Sequence, residues 1–201
     1  MDPRAASSHV VLASGNRGKL EELSCVLAPL ALELVPQAEF EAPDIEETGL
    51  TFVENAILKA RAASAHCELP AIADDSGLEV DHLGGAPGIY SARYSGQGDV
   101  ANNEKLLQAL RGVPAAERTA RFQCVLVYLR HATDPSPLIC QAQWEGVILE
   151  TQQGQGGFGY DPLFYVPDQQ RTAAELPAAV KNRISHRAQA SALLYEALRA
   201  H

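Results

Sequence analysis

The chain has 201 residues, of which 46% are hydrophobic and 20% are charged, proportions that are typical of a globular protein with one sizeable core. Its formal net charge of −9 argues against broad binding to nucleic-acid polymers or anionic membranes, because both need a basic protein surface. The four cysteines show no zinc-ligand spacing, and the first ten residues contain no apolar signal-peptide core. No segment is long and apolar enough to span a membrane, so we expect a cytoplasmic protein with reduced thiols.

The first part of the chain predicts alternating strands and helices. The β-branched run from His9 to Ser14 is typical of a buried strand, and the leucines that recur three and four residues apart after Lys19 predict a helix. The segment ALELVP predicts a second strand. Thr51 and Glu54 then match a capping box, which marks the start of a further helix.

The next segment contains two adjacent carboxylates. The apolar run LPAIA predicts a strand, and we expect the polar residues DDSG to end it before another strand at LEV. After a glycine-rich stretch, Asp99 is expected to cap a helix that carries Leu106 and Leu110.

The second half of the chain begins with its strongest strand signal, ARFQCVLVYLRH. Together with PLICQAQWEG, across a turn-rich connection, this segment predicts a hairpin, and GVILE predicts a third strand. A long loop follows, and the last helix is expected to begin near Ser185. Early alternation and a late hairpin predict an α/β fold, a mixed β-sheet with flanking helices.

The first candidate site is SGNRGK, from Ser14 to Lys19. A strand, a glycine turn, a lysine and a helix start can bind phosphate, because backbone N–H groups and the helix N-terminus face the anion. Only Asn16 and Arg17 separate the two glycines, so the segment is not a Walker A loop. A plain strand-to-helix turn is the alternative interpretation.

The second candidate site is the carboxylate pair Asp74 and Asp75. At the end of a strand the two charges would repel each other unless a cation lies between them, and Mg²⁺ with oxygen ligands is the simplest such cation. Glu46 and Glu47, just before the capped helix, could supply a further carboxylate. The alternative is a solvated turn.

A lysine and an aromatic loop are further candidates. Lys59 lies close to the apolar stripe of the capped helix, so its ammonium group either extends to solvent or meets an anion. Phe158, in a glycine-rich loop, could stack on a planar base, and Asp161 could accept a hydrogen bond from that base. We expect Tyr160 to fill the core beneath the loop.

The last candidate site gathers donor-rich side chains near the start of the final helix. It comprises Lys181, Ser185, His186 and Arg187, with Ser185 expected to be the N-cap. An arginine is unfavourable at the positive end of a helix, so Arg187 indicates an anion nearby.

Five of these segments occur in an order that is far more specific than any one of them. They are SGNRGKLEEL, EETGLTFVENAILKA, AIADDSGLEVDHLGGAPGIYSARYSG, GGFGYDPLF and SHRAQA. In this order, across nearly the whole chain, they closely resemble the inosine triphosphate pyrophosphatase family, also called the XTP/dITP diphosphatases.

The resemblance implies a function and an architecture. Members hydrolyse non-standard purine nucleoside triphosphates (dITP, ITP and XTP) to the monophosphate and pyrophosphate, and so cleanse the nucleotide pool. The implied fold is an elongated α/β structure with a long mixed sheet, here a single domain over residues 1–201, with two lobes and a central substrate cleft. It also implies a homodimer and a requirement for Mg²⁺.

The resemblance further implies roles for individual residues. Asp75 matches the catalytic carboxylate of the family, and the triphosphate would lie on Ser14 to Lys19 with Lys59 nearby. From the charges that phosphoryl transfer must neutralise, we further expect Lys19 and Lys59 to stabilise the leaving pyrophosphate. Asp75 would hold the metal together with Glu46 or Glu47. The substrate would be bound by Ser14, Gly15, Asn16, Arg17, Gly18, Lys19, Ser76, Phe158, Gly159, Tyr160, Asp161, Lys181, His186 and Arg187.

Three other functions are consistent with part of this pattern. A pyrophosphatase for modified pyrimidine nucleotides would share the site and prefer another base. A nucleotide-binding regulator without turnover would have no use for the paired carboxylates. A P-loop GTPase would release orthophosphate, and the glycine spacing argues against it.

Overall fold

The computed structural model describes residues 8–30 and 32–200, and of Ser8 and Arg17 it describes the backbone only. The strands are β1 (Ser8–Ala13), β2 (Leu32–Pro36), β3 (Ala71–Val80), β4 (Thr119–Leu129), β5 (Leu138–Ile148), β6 (Phe164–Val166) and β7 (Arg171–Thr172). The α-helices are α1 (Arg17–Leu27), α2 (Phe52–Cys67), α3 (Asp99–Ala109), α4 (Ala178–Ile184) and α5 (His186–Arg199). Short 3₁₀ helices cover Ala28–Leu30, Gln37–Phe40, Asp81–Leu83, Gly88–Arg93, Ala115–Glu117, Pro167–Gln169 and Ala173–Glu175.

The strands form one mixed sheet in the order β2-β1-β3-β4-β5-β6-β7, as the α/β prediction requires. Strand β1 is parallel to both β2 and β3, whereas β6 is antiparallel to β5 and β7. The pairing of β1 with β3 ends at Ala13 opposite Ala73. The next two residues of β3, Asp74 and Asp75, therefore lie past the carboxyl end of β1, an edge where parallel sheets commonly bind ligands.

The chain divides into two compact units, each with its own core. The first comprises 8–75 without residue 31, 124–142 and 187–200, and the second comprises 76–123 and 143–186. The core of the first contains Val10, Leu12, Leu23, Leu27, Ile72, Cys124, Leu126, Cys140, Ala190 and Leu194. The core of the second contains Leu78, Val80, Leu106, Leu110, Ala120, Phe122, Trp144, Ile148, Tyr160, Leu163 and Phe164. The prediction of a single domain with a cleft between two lobes stays a prediction.

A local capping signal positioned helix α2 correctly. The hydroxyl of Thr51 accepts a hydrogen bond from the Glu54 N–H at 3.2 Å, and α2 begins at the next residue, Phe52. The Glu54 carboxylate in turn accepts from the Leu50 N–H at 2.9 Å. The final helix, α5, begins at His186, as expected. In the described part of the chain, no helix has the length and apolar character needed to cross a bilayer.

The prediction that DDSG ends a strand, with a separate strand at LEV, was wrong. Strand β3 runs without interruption from Ala71 to Val80, and the side chains of Asp74 and Asp75 are buried within it. A strand can bury two adjacent carboxylates when cations from other elements compensate their charge. Lysines and an arginine do so here, as described below.

Three further predictions about the second unit were also wrong. Asp99 is the first residue of α3 rather than its cap, which is Gly98. The residues GVI close β5 instead of forming a third strand, and the predicted long loop contains β6. Gly146 lies inside β5 and does not end the strand. A Cβ at this position would lie 2.5 Å from Cζ of Phe164, so the glycine allows β6 to lie close to β5.

Candidate active site

Asp74 is the centre of a buried charge cluster in the first unit. Its side chain is 2% exposed, forms an ion pair with Lys19 through Oδ1, and accepts from Nε of Arg187 at 2.9 Å through Oδ2. The thiol of Cys124 also donates to Oδ2 at 3.4 Å. Burial on its own raises the pKa of Asp74, but the charges of Lys19 and Arg187 outweigh it and hold the pKa well below its usual range. Asp74 therefore stays ionised.

Arg187 completes this cluster through a second carboxylate. Its Nη1 lies 3.1 Å from Oε2 of Glu22, so two cations and two carboxylates balance in charge. The anion that the position of Arg187 indicated is thus provided, in this structure, by Asp74 and Glu22. Sequence analysis missed Glu22. The signal was its spacing, because a residue three positions after Lys19 lies on the same face of α1.

Asp75 belongs to a second cluster, built around Lys59. The Lys59 ammonium donates to Oδ1 of Asp75 at 2.6 Å and to Oε1 of Glu47 at 2.7 Å. The Lys59 ammonium group was expected either to extend to solvent or to meet an anion, and the structure shows the second outcome, with two carboxylates. Burial on its own lowers the pKa of Lys59, but the charges and hydrogen bonds of Asp75 and Glu47 raise that pKa above its usual value, so the lysine stays charged. Burial raises the pKa of Asp75 to about 6, against the opposing charge of Lys59.

The second cluster has the character of a cation site. One ammonium group is shared by two carboxylates, and Oδ2 of Asp75 is buried without a hydrogen-bond partner among the described residues. Mg²⁺ commonly takes one or two protein carboxylates and completes its shell with phosphate and water oxygens. The described residues contain no ready cluster of three or more His, Cys, Asp or Glu ligands. Asp75 and Glu47 fit Mg²⁺ in this manner, whereas Glu46 is exposed and is not among the carboxylates that the described residues place on Lys59.

The turn after β1 has the geometry expected of an anion-binding helix start. The Asn16 side chain caps α1 by accepting from the Lys19 N–H at 3.2 Å, and the Ser14 hydroxyl accepts from the Asn16 N–H at 3.2 Å. A Cβ at Gly15 would contact nothing within 4 Å, so the turn leaves open space beside it. Phosphate binding by this turn, including any role of the Arg17 side chain, stays a prediction.

In the second unit, Phe158, Asp161 and Lys181 lie together. The Phe158 ring is 42% exposed, and the Lys181 ammonium lies 5.0 Å from its centroid. Oδ2 of Asp161 accepts from Lys181 at 2.5 Å and from the Phe158 N–H at 2.9 Å. Gly157 is required here, because a Cβ would lie 2.0 Å from the same Oδ2. The loop thus presents an aromatic ring beside a cation.

Tyr160 and His186 are buried in the second unit. Tyr160 is 4% exposed and donates from its hydroxyl to the Ser91 carbonyl at 2.9 Å, which confirms that it fills the core. The His186 ring stacks on Phe122 with centroids 4.8 Å apart, and Trp144 lies 6.4 Å from His186.

The two cations of the group predicted at the final helix start have different partners. Lys181 lies in α4 and pairs with Asp161 of the second unit, whereas Arg187 lies in α5 and pairs with Asp74 of the first. Sequence analysis also missed Asn103, a buried amide. The signal was its position, because it precedes Leu106 by three residues on the apolar stripe of α3.

The mixed sheet and the two carboxylate–lysine clusters define an α/β protein with a candidate anion- and cation-binding active site. The model of the Ham1 family matches residues 10–197. Among curated relatives, the dITP/XTP pyrophosphatase of Thioalkalivibrio sulfidiphilus is 59% identical over 191 residues, which cover 94% of this chain and 97% of the relative. The dITP/XTP pyrophosphatase of Escherichia coli K12 is 59% identical over 192 residues, covering 94% and 98%.

Solved structures agree with these relatives. A HAM1 protein from Coxiella burnetii superposes with a TM-score of 0.91 at 49% identity, covering 96% of this chain and all of that one. A nucleoside-triphosphatase, or dITP/XTP pyrophosphatase, from Mycobacterium abscessus gives a TM-score of 0.76 at 40% identity, covering 95% of this chain. The chain therefore belongs to the Ham1 family, which confirms the resemblance drawn from its motifs.

Proposed function

We propose that this chain hydrolyses dITP, ITP and XTP to the nucleoside monophosphate and pyrophosphate, and thereby removes non-standard purines from the nucleotide pool. The observation that carries the proposal is Asp75, whose buried Oδ2 lacks a partner among the described residues and whose Oδ1 is held by Lys59. Relatives that are 60% identical over 94% of the chain bear the name dITP/XTP pyrophosphatase, which supports the same activity here.

The mechanism follows from the charges of the first unit. The attacking water forms a bond to the α-phosphorus, and the bond from that phosphorus to the bridging oxygen of pyrophosphate breaks. Asp75 orients this water and takes its proton. With a pKa of about 6 it is mostly ionised at neutral pH yet basic enough to accept.

The two lysines stabilise the leaving group. Lys19 and Lys59 would carry positive charge beside the pyrophosphate oxygens, where negative charge develops as the bond breaks, and such electrostatic stabilisation is usually the largest contribution to catalysis. Asp74 holds Lys19 in place from β3. Mg²⁺, held by Asp75 and Glu47, would supply further neutralisation of the phosphate charge.

Base recognition falls to the second unit. Phe158 would stack on the purine, and Lys181, whose ammonium group lies over the Phe158 ring, would hold that phenyl ring in place. His186 or a backbone N–H would donate to the 6-oxo group that inosine and xanthosine share. Because Oδ2 of Asp161 already accepts two hydrogen bonds, Oδ1 of Asp161 or a backbone carbonyl would accept from the ring N–H. Adenine would leave such groups unpaired and be rejected.

Assembly and location are part of the proposal. A homodimer is implied by the family resemblance, and a cytoplasmic location is implied by the composition and the cysteine usage.

A substrate panel tests the proposal. We expect pyrophosphate release from dITP and XTP with Mg²⁺, and slow or no release from dATP and dUTP. Preference for a modified pyrimidine triphosphate would favour the pyrimidine pyrophosphatase instead. Tight binding of dITP without turnover would favour the regulator, and release of orthophosphate from GTP would favour the GTPase.

A further inference from the structure

Helix α3 holds both polar groups of a single glycine residue in the aromatic loop. Oδ2 of Asp99 accepts from the Gly159 N–H at 2.8 Å, and Nδ2 of Asn103 donates to the Gly159 carbonyl at 2.9 Å. The two side chains lie four residues apart and therefore on one face of the helix. Their contacts fix the orientation of the backbone on both sides of Gly159.

Gly159 connects a buried anchor to an exposed ring. On one side lies Tyr160, which is fixed in the core by its hydroxyl contact with the Ser91 carbonyl. On the other side lies Phe158, whose ring is exposed. Gly159 has φ of +60°, a conformation that glycine adopts at least cost. The direction in which Phe158 leaves the core is therefore set by Gly159 on one side, together with Asp161, whose Oδ2 accepts from the Phe158 N–H at 2.9 Å.

Asn103 occupies a position where an apolar residue would pack well. It is 3% exposed, it belongs to the apolar stripe with Leu106, and its Oδ1 has no hydrogen-bond partner in the described part of the chain. An amide buried with one atom unsatisfied is unfavourable. What the side chain provides in return is its hydrogen bond to Gly159.

We propose that Asp99 and Asn103 are positioning residues for nucleobase recognition. By holding Gly159, they keep the Phe158 backbone in the orientation that a stacked purine needs. Because the loop is already ordered before the nucleotide binds, binding costs less conformational entropy. This inference rests on the proposed function, because it takes Phe158 to stack on the base. The hydrogen bonds described for Asp99 and Asn103 go to Gly159, whereas the proposed chemistry uses the charge clusters of Asp74 and Asp75, so the chemical step should not depend on them.

The test compares variants that lose each hydrogen bond with variants that keep it. Asn103→Leu removes the donor and suits the apolar stripe, and Asp99→Ala removes the acceptor. Asp99→Asn retains an acceptor oxygen and should rescue. Gln108→Ala, at an exposed position of the same helix, is the matched control. Circular dichroism and thermal melting establish that each variant is folded. If Asn103→Leu is not folded, the comparison of Asp99→Ala with Asp99→Asn still tests the inference.

The inference predicts a selective loss of binding. For Asn103→Leu and Asp99→Ala, KM and the calorimetric Kd for dITP should rise about five- to tenfold, as expected when one side chain must be ordered on binding. Their kcat and the inhibition constant of inorganic tripolyphosphate, which has no base, should stay within about twofold of wild type. In a Phe158→Ala background, Asn103→Leu should have no further effect on Kd.

Two results would overturn the inference. One is an unchanged dITP Kd in both variants. The other is a double variant, Asn103→Leu with Phe158→Ala, in which the fold-increase in the dITP Kd equals the product of the two single-variant increases. The proposed function is judged separately, by turnover of dITP in the wild type. The calorimetric Kd for dITP is measured in EDTA and does not require turnover. A failure of the proposed function would therefore not be mistaken for a failure of the positioning role.

Discussion

Replacing Asp75 with asparagine should inactivate the protein and, without metal, stabilise it. The fold raises the pKa of Asp75 from its ordinary 3.8 to about 6, primarily through burial, so the folded state favours the protonated form. Asparagine resembles that neutral form in shape. In the wild type, ionisation of Asp75 at neutral pH therefore weakens the fold, and this cost is absent from Asp75→Asn.

The size and sign of the effect follow from the two pKa values. Below about pH 4 the carboxyl is protonated in both the folded and the unfolded state, and the two proteins should be equally stable. As the pH rises from about 4 to about 6, the unfolded state loses its proton before the folded state does, so the wild type loses stability relative to the variant. Above that pH the difference should level off, at up to about 3 kcal/mol, which is the free energy that corresponds to the pKa shift.

Urea unfolding at several pH values in EDTA measures this difference. Mg²⁺ should then stabilise the wild type selectively and narrow the gap, because the ion binds the ionised carboxylate. Turnover of dITP by Asp75→Asn should fall by about a hundredfold to ten-thousandfold, the usual contribution of a positioned base. A variant that is less stable than wild type at pH 8, or a difference independent of pH, would refute the reasoning.

Two other substitutions test separate parts of the structure. Asp74→Asn leaves Lys19 and the buried Arg187 without their shared carboxylate and should cost about 3–5 kcal/mol of unfolding free energy in urea at neutral pH; an unchanged midpoint would contradict the cluster. Gly157→Ala places a methyl group against Oδ2 of Asp161 and should raise KM for dITP several-fold with a smaller change in kcat, whereas wild-type kinetics would show that the loop tolerates displacement.

Signals that act over a few residues could be predicted from the sequence. The Thr51–Glu54 capping box positioned α2, and the turn from Ser14 to Lys19 was recognised as a helix start, which the structure caps with the Asn16 side chain. Each depends on hydrogen bonds within three residues. Tyr160 was also placed correctly, because an aromatic beneath a glycine-rich loop most often fills the core.

Features that depend on distant residues could not be predicted. Strand β3 continues through Asp74 and Asp75 only because Lys19, Lys59 and Arg187 arrive from three different helices. From the sequence alone, two adjacent carboxylates favour a turn.

The contact of Asn103 with Gly159 was hidden for a related reason. It joins residues 56 positions apart, and periodicity gives no information about such a partner.

The most direct test of the account is hydrolysis of dITP in heavy-oxygen-labelled water, with Mg²⁺ and with EDTA, for wild type and Asp75→Asn. We predict dIMP and pyrophosphate from the wild type only with metal, with the label in the monophosphate, and almost none from the variant. Label in the pyrophosphate would show that water attacks a different phosphorus. Release of orthophosphate, or full activity of a folded Asp75→Asn protein, would contradict the assignment of Asp75 as the centre of the reaction.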